Sequence, residues 1–294
     1  FGSRSDSTTA SLTGFNSSVA NSPAQAVIDL VDGVHLISDS LSLSESIANG
    51  KSIRGNPTAR TTTVTESPDG SVIKTTATGG KNAVVLNSNG VEISNLSITG
   101  TTTSGIGRMV YRPGYASTMG GYTIRNVFLA RNGSDGMRIH GADGTLYEGV
   151  NSQWNRGWGI NFDVLSTTAQ TAQGILPLLL TGRTRGNTLG GVRIEQPNAT
   201  LINYEAIADT NVGIFITDNA NINLRNSGTV LINCDVESIK PALSSPPLIA
   251  NYKLHDTRGT VFIAGYAGTN AGRGLWADSV YSATFINTRW ANQD

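Results

Sequence analysis

The chain has 294 residues, which is enough to bury a large core in one long domain or in two ordinary ones. Its 21 basic and 21 acidic residues cancel, and the absence of a Lys/Arg cluster predicts that nucleic acid is not a partner. No apolar run approaches the roughly 20 residues that cross a bilayer, so no membrane insertion is predicted.

The composition favours strands and turns. Charged residues make up only 14% of the chain, and amphipathic helical periodicity is scarce. One short helix is predicted near Thr13–Val31, where apolar residues recur at roughly helical spacing and Pro23 interrupts the pattern. Strand-like segments follow, and GVEISNLSIT (Gly90–Thr99) parallels GYTIRNVFLA (Gly121–Ala130).

A short pattern then recurs: an Asn or Asp, three variable positions, a glycine, and two apolar residues one position apart. Its copies are RNGSDGMRIH, WNRGWGINFD, GNTLGGVRIE, ADTNVGIFIT and, more loosely, TNAGRGLWAD. Four of the aligned glycines, Gly136, Gly159, Gly191 and Gly213, are 23, 32 and 22 residues apart. Such a period, made of short strands and turns, is typical of the coils of a parallel β-helix.

A polar residue stands four positions before the glycine of each of the five copies. The five residues are Asn132, Asn155, Asn187, Asp209 and Asn270. A short polar side chain at a turn can bond the turn backbone and the amides of the next coil. We therefore predict that Asn132, Asn155, Asn187 and Asp209 align in a ladder.

The repeats predict an all-β fold, a right-handed parallel β-helix that forms one domain over residues 1–294. Residues 1–32 are interpreted as an N-terminal cap segment that contains the short helix, and residues 33–294 as the coils. The long step between the second and third glycines places an insertion near 164–177. The Pro/Ser-rich stretch KPALSSPPLIANYK predicts a second insertion at 240–253.

Alternation along the repeated strand assigns its two faces. The apolar pairs after each glycine point inward, which leaves two outward columns. The first column contains Arg138, Asn161, Arg193 and Phe215. The second column contains His140, Asp163, Glu195 and Thr217. Parallel coils in register lie about 4.8 Å apart, so Asp163 and Glu195 are predicted to be neighbours on one surface.

This surface is the densest group of acids, bases and cations in the chain. Glycoside hydrolysis uses two carboxyl groups about 5 to 9.5 Å apart, one as acid and one as base or nucleophile. We predict Glu195 as the acid because its longer side chain reaches further, and Asp163 as the base or nucleophile. The predicted substrate-binding residues are Arg138, His140, Asn161, Arg193, Trp154 and Trp158.

Other uses of the same residues stay open. In a lyase, the arginines would neutralise a uronate carboxylate while His140 or an arginine handles the proton. Opposite charges on neighbouring strands also stabilise a sheet without any catalysis. Trp154, Trp158 and Tyr147 can stack on sugars, although Trp158 adjoins a turn and can simply cover the coil edge. No His/Asp/Glu cluster has metal-ligand spacing, so neither a metal nor another cofactor is predicted.

The N-terminal sequence FGSRSDSTTASLTGF resembles the segment Phe-Gly-Ala-x-Gly-Asp-Gly-x-x-Asp-Asp-Thr-x-Ala of pectate-lyase-like proteins, which include polygalacturonases and phage tailspikes. The matching positions are Phe1, Gly2, Asp6, Thr9, Ala10 and Leu12. The continuation AVIDLVDGVHLISDSLSL, followed by SIRGN, resembles the first strands of that group. The polygalacturonase motifs Asn-Thr-Asp, Asp-Asp and Gly-His-Gly are missing, which disfavours a plant-pectin enzyme.

The resemblance implies a β-helix that recognises and depolymerises a bacterial surface polysaccharide, such as capsule, lipopolysaccharide O-antigen or exopolysaccharide. It also implies a homotrimer on a phage tail, or an extracellular enzyme. The alternatives are a polysaccharide lyase or epimerase, and a non-catalytic receptor-binding β-helix of a tail fibre. Three C-terminal aromatic residues, Trp276, Tyr281 and Trp290, are predicted to be exposed where a partner subunit can cover them.

Overall fold

The computed structural model describes residues 6–10, 21–23, 26–44, 51–56, 70–76, 81–87, 89–100, 110–112, 121–140, 144–163, 177–195, 198–217, 228–241, 249–268 and 273–291. Within these ranges the chain forms 28 β-strands. Most of Thr13–Val31, predicted as a helix, lies outside them. The end of that segment, Val27–Asp29, is a strand, so the predicted helix was drawn too long.

The strands are short and follow one another closely along the chain. In chain order they are β1 Asp6–Ala10, β2 Val27–Asp29, β3 Gly33–Ile37, β4 Leu41–Ser44, β5 Ser52–Arg54, β6 Ser71–Thr75, β7 Val84–Asn87, β8 Glu92–Gly100, β9 Val110–Arg112, β10 Thr123–Ala130, β11 Met137–His140, β12 Leu146–Glu148, β13 Asn151–Gln153, β14 Trp158–Asp163, β15 Leu178–Leu180, β16 Arg183–Arg185, β17 Gly190–Ile194, β18 Thr200–Ile202, β19 Glu205–Ile207, β20 Val212–Thr217, β21 Val230–Ile232, β22 Asp235–Glu237, β23 Ala250–His255, β24 Thr260–Ile263, β25 Tyr266–Ala267, β26 Arg273–Asp278, β27 Ala283–Ile286 and β28 Arg289–Trp290.

These strands stack into coils, as the repeat predicted. The coils form three faces, and within each face the strands are parallel. One face is a nine-stranded sheet in the order β4-β7-β9-β11-β14-β17-β20-β23-β26. The other two faces are joined in one larger sheet by β8 and β10, which bend and pair on both sides of the corner. Each strand pairs with the equivalent strands of the coils above and below it. The architecture is a parallel β-helix, which confirms the predicted fold class.

The corner between the two joined faces is made by one residue per coil in the left-handed backbone region. The residues at this corner are Asn95, Asn126, Gly149, Thr181, Asn203, Asn233, Ala264 and Asn287. Asparagine occupies this region more readily than most residues because its short amide bonds locally. Two of the asparagines also bond the preceding coil: Asn126 Nδ2 donates to Asn95 Oδ1 at 3.1 Å, and Asn233 Nδ2 donates to Asn203 Oδ1 at 2.8 Å.

The turn that leads into the nine-stranded sheet carries the predicted polar ladder. The backbone amides of Asn132 and Asn155 donate to the side-chain oxygens of Asn155 and Asn187, each at 3.0 Å. Asn187 N donates to Asp209 Oδ1 at 2.8 Å, so four consecutive coils share one chain of bonds. All four side chains are buried. The predicted ladder is confirmed over these coils, and Asn270 lies outside the described residues.

The four aligned glycines lie in successive coils directly beneath this ladder. At Gly159, an added Cβ would lie 2.6 Å from Thr184 Cγ2 and 2.7 Å from Asn187 Nδ2. These atoms belong to the next coil, so the glycine is required by the close approach of neighbouring coils. The repeat therefore encodes the turn and its stacking contact together.

The core is a continuous apolar stack inside the three faces. Its largest fully buried side chains include Tyr122, Tyr147, Tyr204, Tyr252 and Phe162. The second predicted insertion, 240–253, was placed too far along the chain, because Ala250–His255 is β23. In that coil Asn251 occupies the position of the glycine, which is why the repeat pattern missed it. Most of the first insertion, 164–177, lies outside the described residues.

Candidate active site

The two outward columns lie on the nine-stranded sheet in the predicted register. Arg138 pairs with Asn161, Asn161 with Arg193, and Arg193 with Phe215. His140 pairs with Asp163 on the adjacent strand. The amide of Glu195 donates to the carbonyl of Phe162 at 2.7 Å, which places Glu195 beside Asp163. The structure therefore brings the two predicted carboxylates to neighbouring positions of adjacent coils.

Asp163 is held by the Arg138 guanidinium and the His140 imidazole, both from the preceding coil. Arg138 Nε donates to Asp163 Oδ2 at 2.6 Å, and Nη2 of the same guanidinium also contacts this oxygen. Nδ1 of His140 contacts the second oxygen, Oδ1. Both carboxylate oxygens of Asp163 therefore face donors that can carry positive charge.

The surroundings keep Asp163 ionised. Burial is the largest influence and raises the pKa of Asp163. The hydrogen bond and charge of His140, together with the Arg138 guanidinium, outweigh burial and bring the pKa below its ordinary value. Asp163 is thus suited to act as a base, a nucleophile or an orienting anion, and it is unsuited to donate a proton at neutral pH.

Glu195 has a separate cationic partner. Its Oε1 contacts a guanidinium nitrogen of Arg193, two residues earlier on the same coil. To protonate a leaving group, Glu195 must first be released from this guanidinium. Each carboxylate therefore has its own arginine, and the two pairs stand side by side on adjacent coils.

Burial is the main departure from the predicted surface. The outward columns were expected to be open to solvent, yet Asp163 is only 3% exposed, His140 4% and Glu195 7%. Arg138 and Arg193 remain about a quarter exposed, at 27% and 28% of the side chain. The guanidinium groups are thus the accessible layer, and the carboxylates lie beneath them.

Asp135 is an additional member of the cluster that the sequence pattern did not single out. Its Oδ1 accepts from Trp158 N at 2.8 Å, and its Oδ2 accepts from Asn161 Nδ2 at 3.1 Å. Arg138 Nε lies 4.0 Å from Asp135 Oδ2. The available signal was an acid directly before the repeat glycine. Asn161, predicted to bind substrate, is buried and bonded to Asp135.

The predicted sugar-stacking residues have three different environments. Tyr147 is buried and packs on Phe162 with ring centroids 5.0 Å apart, so its proposed sugar contact was wrong. Trp154 is at the corner before the ladder, at φ 53, where its ring covers Gly186 of the next coil. It does not share a strand with Asp163.

Trp158 begins the strand that ends at Asp163, and its ring stacks with Phe215 at 6.1 Å and 29°. The ring fills the space that the missing side chain of Gly190 leaves on the coil between them. Covering the coil edge is therefore one role that Trp158 does have.

The same two columns continue into the C-terminal coils. Phe215, Lys253 and Trp276 follow one another in the column of Arg138. Thr217, His255 and Asp278 follow one another in the column of Asp163. The sequence placed Trp276 and Asp278 in these columns without fixing the number of coils, and the sheet order fixes it as five steps from β11 to β26.

Two further properties of the described residues bear on chemistry. Within them, no three His, Cys, Asp or Glu side chains gather as a metal-ligand set, and independence from a metal stays a prediction. No helix in the described part of the chain is long and apolar enough to cross a membrane.

Comparison with known proteins identifies the fold. No protein-family model and no curated protein sequence matches the chain. Among solved structures, the chain is similar to ORF18 of Geobacillus virus E2, with TM-score 0.59 and 12% identity over 100% of this chain and 60% of that protein. It is similar to the A-module of the Azotobacter vinelandii mannuronan C-5 epimerase AlgE4, with TM-score 0.58 and 14% identity over 100% and 95% of the two chains.

A third similar structure is the phage phiAB6 tailspike, solved in complex with oligosaccharides of Acinetobacter baumannii surface polysaccharide. The TM-score is 0.66 and the identity 14%, over 94% of this chain and 46% of the tailspike. The chain thus spans less than two thirds of both viral proteins. At these identities the likeness concerns the fold alone, and it agrees with the parallel β-helix described above.

Proposed function

We propose that this β-helix recognises and depolymerises a bacterial surface polysaccharide, with the Asp163 and Glu195 coils as its active site. The observation that carries the proposal is the pair of carboxylates, each with its own arginine, at neighbouring outward positions of one sheet. The chain is otherwise poor in charge. The fold supports this proposal, because tailspikes and alginate-modifying enzymes are built on it.

Glycoside hydrolysis is the first candidate reaction. Adjacent coils lie about 4.8 Å apart, which suits the separation of about 5 to 5.5 Å between the carboxyl groups of a retaining glycosidase. Asp163, held ionised by Arg138 and His140, is the nucleophile or base. Glu195 is the acid, and it gains this role when substrate draws Arg193 away from it.

Elimination or epimerisation at a uronate is the second candidate, and the contact between His140 and Asp163 favours it. A histidine fixed by a carboxylate can accept a proton from the sugar carbon next to the uronate carboxylate. Arg138 and Arg193, the accessible cations, would neutralise that carboxylate and so acidify the proton. In this reaction Asp163 orients His140 and does not touch the sugar.

A panel of capsular polysaccharides and lipopolysaccharides tests the proposal, with chain length and ultraviolet absorbance followed together. Shortening without new absorbance indicates hydrolysis, and shortening with absorbance of an unsaturated uronate indicates elimination. Glu195→Gln should lower turnover by about 10² to 10⁴ while binding persists. The matched control is Glu205→Gln, whose carboxylate also pairs with an arginine but lies on a different face.

For a glycan whose products indicate hydrolysis, equal turnover of Glu195→Gln and the parent would remove the assignment of the site. Binding of a glycan that is never shortened would support the non-catalytic receptor-binding alternative.

We also propose that the protein acts as a homotrimer, on a phage tail or outside the cell. Tyr281 and Trp290 are 63% and 40% exposed near the last described strands, which suits burial by a partner. Trp276 is partly buried, and Lys253 packs over its ring. Sedimentation of the full chain tests the proposal, and a monomer at micromolar concentration would contradict it.

A further inference from the structure

The C-terminal part of the Arg138 column carries a lysine enclosed by two aromatic rings. Lys253 Nζ lies 4.7 Å from the ring centroid of Phe215 on one neighbouring strand and 4.1 Å from that of Trp276 on the other. The amine is thus fixed between two π-faces, which attract a cation. Unlike the carboxylate cluster, all three side chains are partly open to solvent.

Lys253 differs from the other basic residues of this surface in its partners. Arg138 is paired with Asp163, Arg193 with Glu195, and His255 with Asp278 at 3.2 Å. Among the described residues, no carboxylate lies within ion-pair distance of Lys253. Desolvation lowers the pKa of Lys253, and the more distant charge of Asp278 opposes that effect. The amine therefore has aromatic neighbours that hold it in place, and within the described ranges no carboxylate is bonded to it.

From this geometry we infer that Lys253 and Trp276 form a subsite for a sugar that carries a carboxylate, so that the glycan is acidic. The inference rests on the proposed function and names its substrate class. The ammonium would bind the carboxylate, while the exposed part of the Trp276 ring would pack against the apolar face of the same sugar. Phe215 holds the lysine from the opposite side.

The position of this subsite fits a chain that runs along the solenoid. Lys253 is three strand steps from the Asp163 strand, which is about 14 Å at ~4.8 Å for each step. Trp158 and Phe215 form a stacked pair between the two positions. A polysaccharide held at Lys253 therefore follows one surface to reach Arg193 and Arg138, the accessible cations of the candidate active site.

The test compares two pairs of tetrasaccharides that differ only in the carboxylates. These are tetramannuronate against β-1,4-mannotetraose, and tetragalacturonate against α-1,4-galactotetraose. The dissociation constant of each is measured calorimetrically with the full chain at low and high salt. We expect at least one acidic tetramer to bind tenfold or more tightly than its neutral partner, with a preference that decreases as salt rises.

Lys253→Met keeps the apolar stem between the rings and removes the charge. This variant should lower the acidic preference and leave the neutral affinity unchanged, whereas Trp276→Ala should weaken the binding of both members of a pair. The control is Lys81→Met, which removes a lysine that is 48% exposed and paired with Asp39 elsewhere on the chain. Equal affinity of the parent for both members of each pair, or an acidic preference that Lys253→Met retains in full, overturns the subsite.

The outcome also separates this subsite from the catalytic proposal. Depolymerisation of a neutral glycan that depends on Glu195, with no acidic preference, removes only the subsite. An acidic preference that depends on Lys253, with no cleavage of any glycan, retains the subsite and removes the depolymerase.

Discussion

Asp163 and Asp209 are two aspartates with nearly the same burial, but their pKa values are shifted in opposite directions. Asp163 is 3% exposed and Asp209 is fully buried. The pKa of Asp163 is lowered, because His140 and Arg138 outweigh the effect of burial. Burial raises the pKa of Asp209, hydrogen bonds from Asn187 and Thr184 reverse only part of that rise, and the resulting pKa is about 7. Burial alone therefore does not decide the charge of a carboxyl group in this fold.

The difference lies in the kind of donor. The amide and hydroxyl groups around Asp209 are neutral, at 2.8 Å for Asn187 N and 2.7 Å for Thr184 Oγ1. Neutral donors stabilise an anion less than the cations beside Asp163 do. The outer side of the nine-stranded sheet thus keeps the Asp163 carboxylate charged. The ladder holds Asp209 as a carboxyl group that favours its neutral form.

The largest effect is expected from Asp163→Asn. This change leaves Arg138 and His140 without their anion, and breaking a buried pair typically costs about 3 to 5 kcal/mol. Because the pKa of Asp163 is lowered on folding, its stabilisation is present above the unfolded pKa and is lost as pH falls through the folded pKa. In urea unfolding of the parent and of Asp163→Asn, the two free energies of unfolding should converge as pH is lowered from 7 to 3.

Glu205→Gln is the control for that measurement, because its ion pair with Arg183 is about 40% exposed and should change stability by less than about 1 kcal/mol. Equal losses for both variants would mean that the Asp163 cluster is no stronger than a surface pair. Because Asp163 is buried, its amide variant is expected to lose stability as well as activity.

The next largest effect, in the opposite direction, is expected from Asp209→Asn. The raised pKa means that native Asp209 prefers its neutral form, so stability falls as pH rises from about 4 to about 7. Asparagine cannot ionise. At about 1.4 kcal/mol per pKa unit, the variant should be roughly 1 to 4 kcal/mol more stable than the parent at pH 8. A variant that is less stable at pH 8 would show that the ladder needs an anion here.

A smaller effect is expected from Thr184→Val, which removes the hydroxyl that donates to Asp209 Oδ2. Loss of one hydrogen bond to a buried group costs about 1 to 3 kcal/mol. The pKa of Asp209 should rise further, so the pH-dependent part of the unfolding curve should extend above pH 7. A double-mutant cycle with Asp209→Asn checks the coupling, and additive changes in the free energy of unfolding would contradict it.

The smallest effect is expected from Arg125→Met on the outer side of β10. Arg125 Nε donates to Glu148 Oε2 at 2.7 Å, but the two side chains are 42% and 40% exposed. An exposed pair contributes about 0 to 1 kcal/mol. A loss above 2 kcal/mol in thermal unfolding would show that cations outside the nine-stranded sheet matter as much as those beside Asp163.

The repeat pattern predicted the fold, the ladder and the register of the two columns, because glycine spacing and strand alternation are properties of the sequence alone. It missed β23, since Asn251 stands where the repeat has glycine. It also misjudged the exposure of Asp163 and Glu195. Alternation gives the side of a strand on which a residue lies, whereas burial depends on tertiary contacts that the pattern does not contain.

The residues that hold the candidate site show the same division. Arg138 and His140 could be placed beside Asp163 from register, which follows from the repeat length. Asp135 could not, because its contacts with Trp158 and Asn161 depend on how a turn folds back over the next strand. The cation between Phe215 and Trp276 was hidden because its coil breaks the glycine pattern.

The left-handed corner that recurs in every coil from Asn95 to Asn287 has a mechanical consequence. Each coil grips only its two neighbours, so tension applied to the ends of the chain loads the terminal coils first. A released coil of 23 residues, such as that between Gly136 and Gly159, lengthens the chain by about 75 Å when stretched. When it is pulled along its axis, the molecule should unfold one coil at a time. Each unfolded coil should extend as a flexible tether while the remaining coils stay folded.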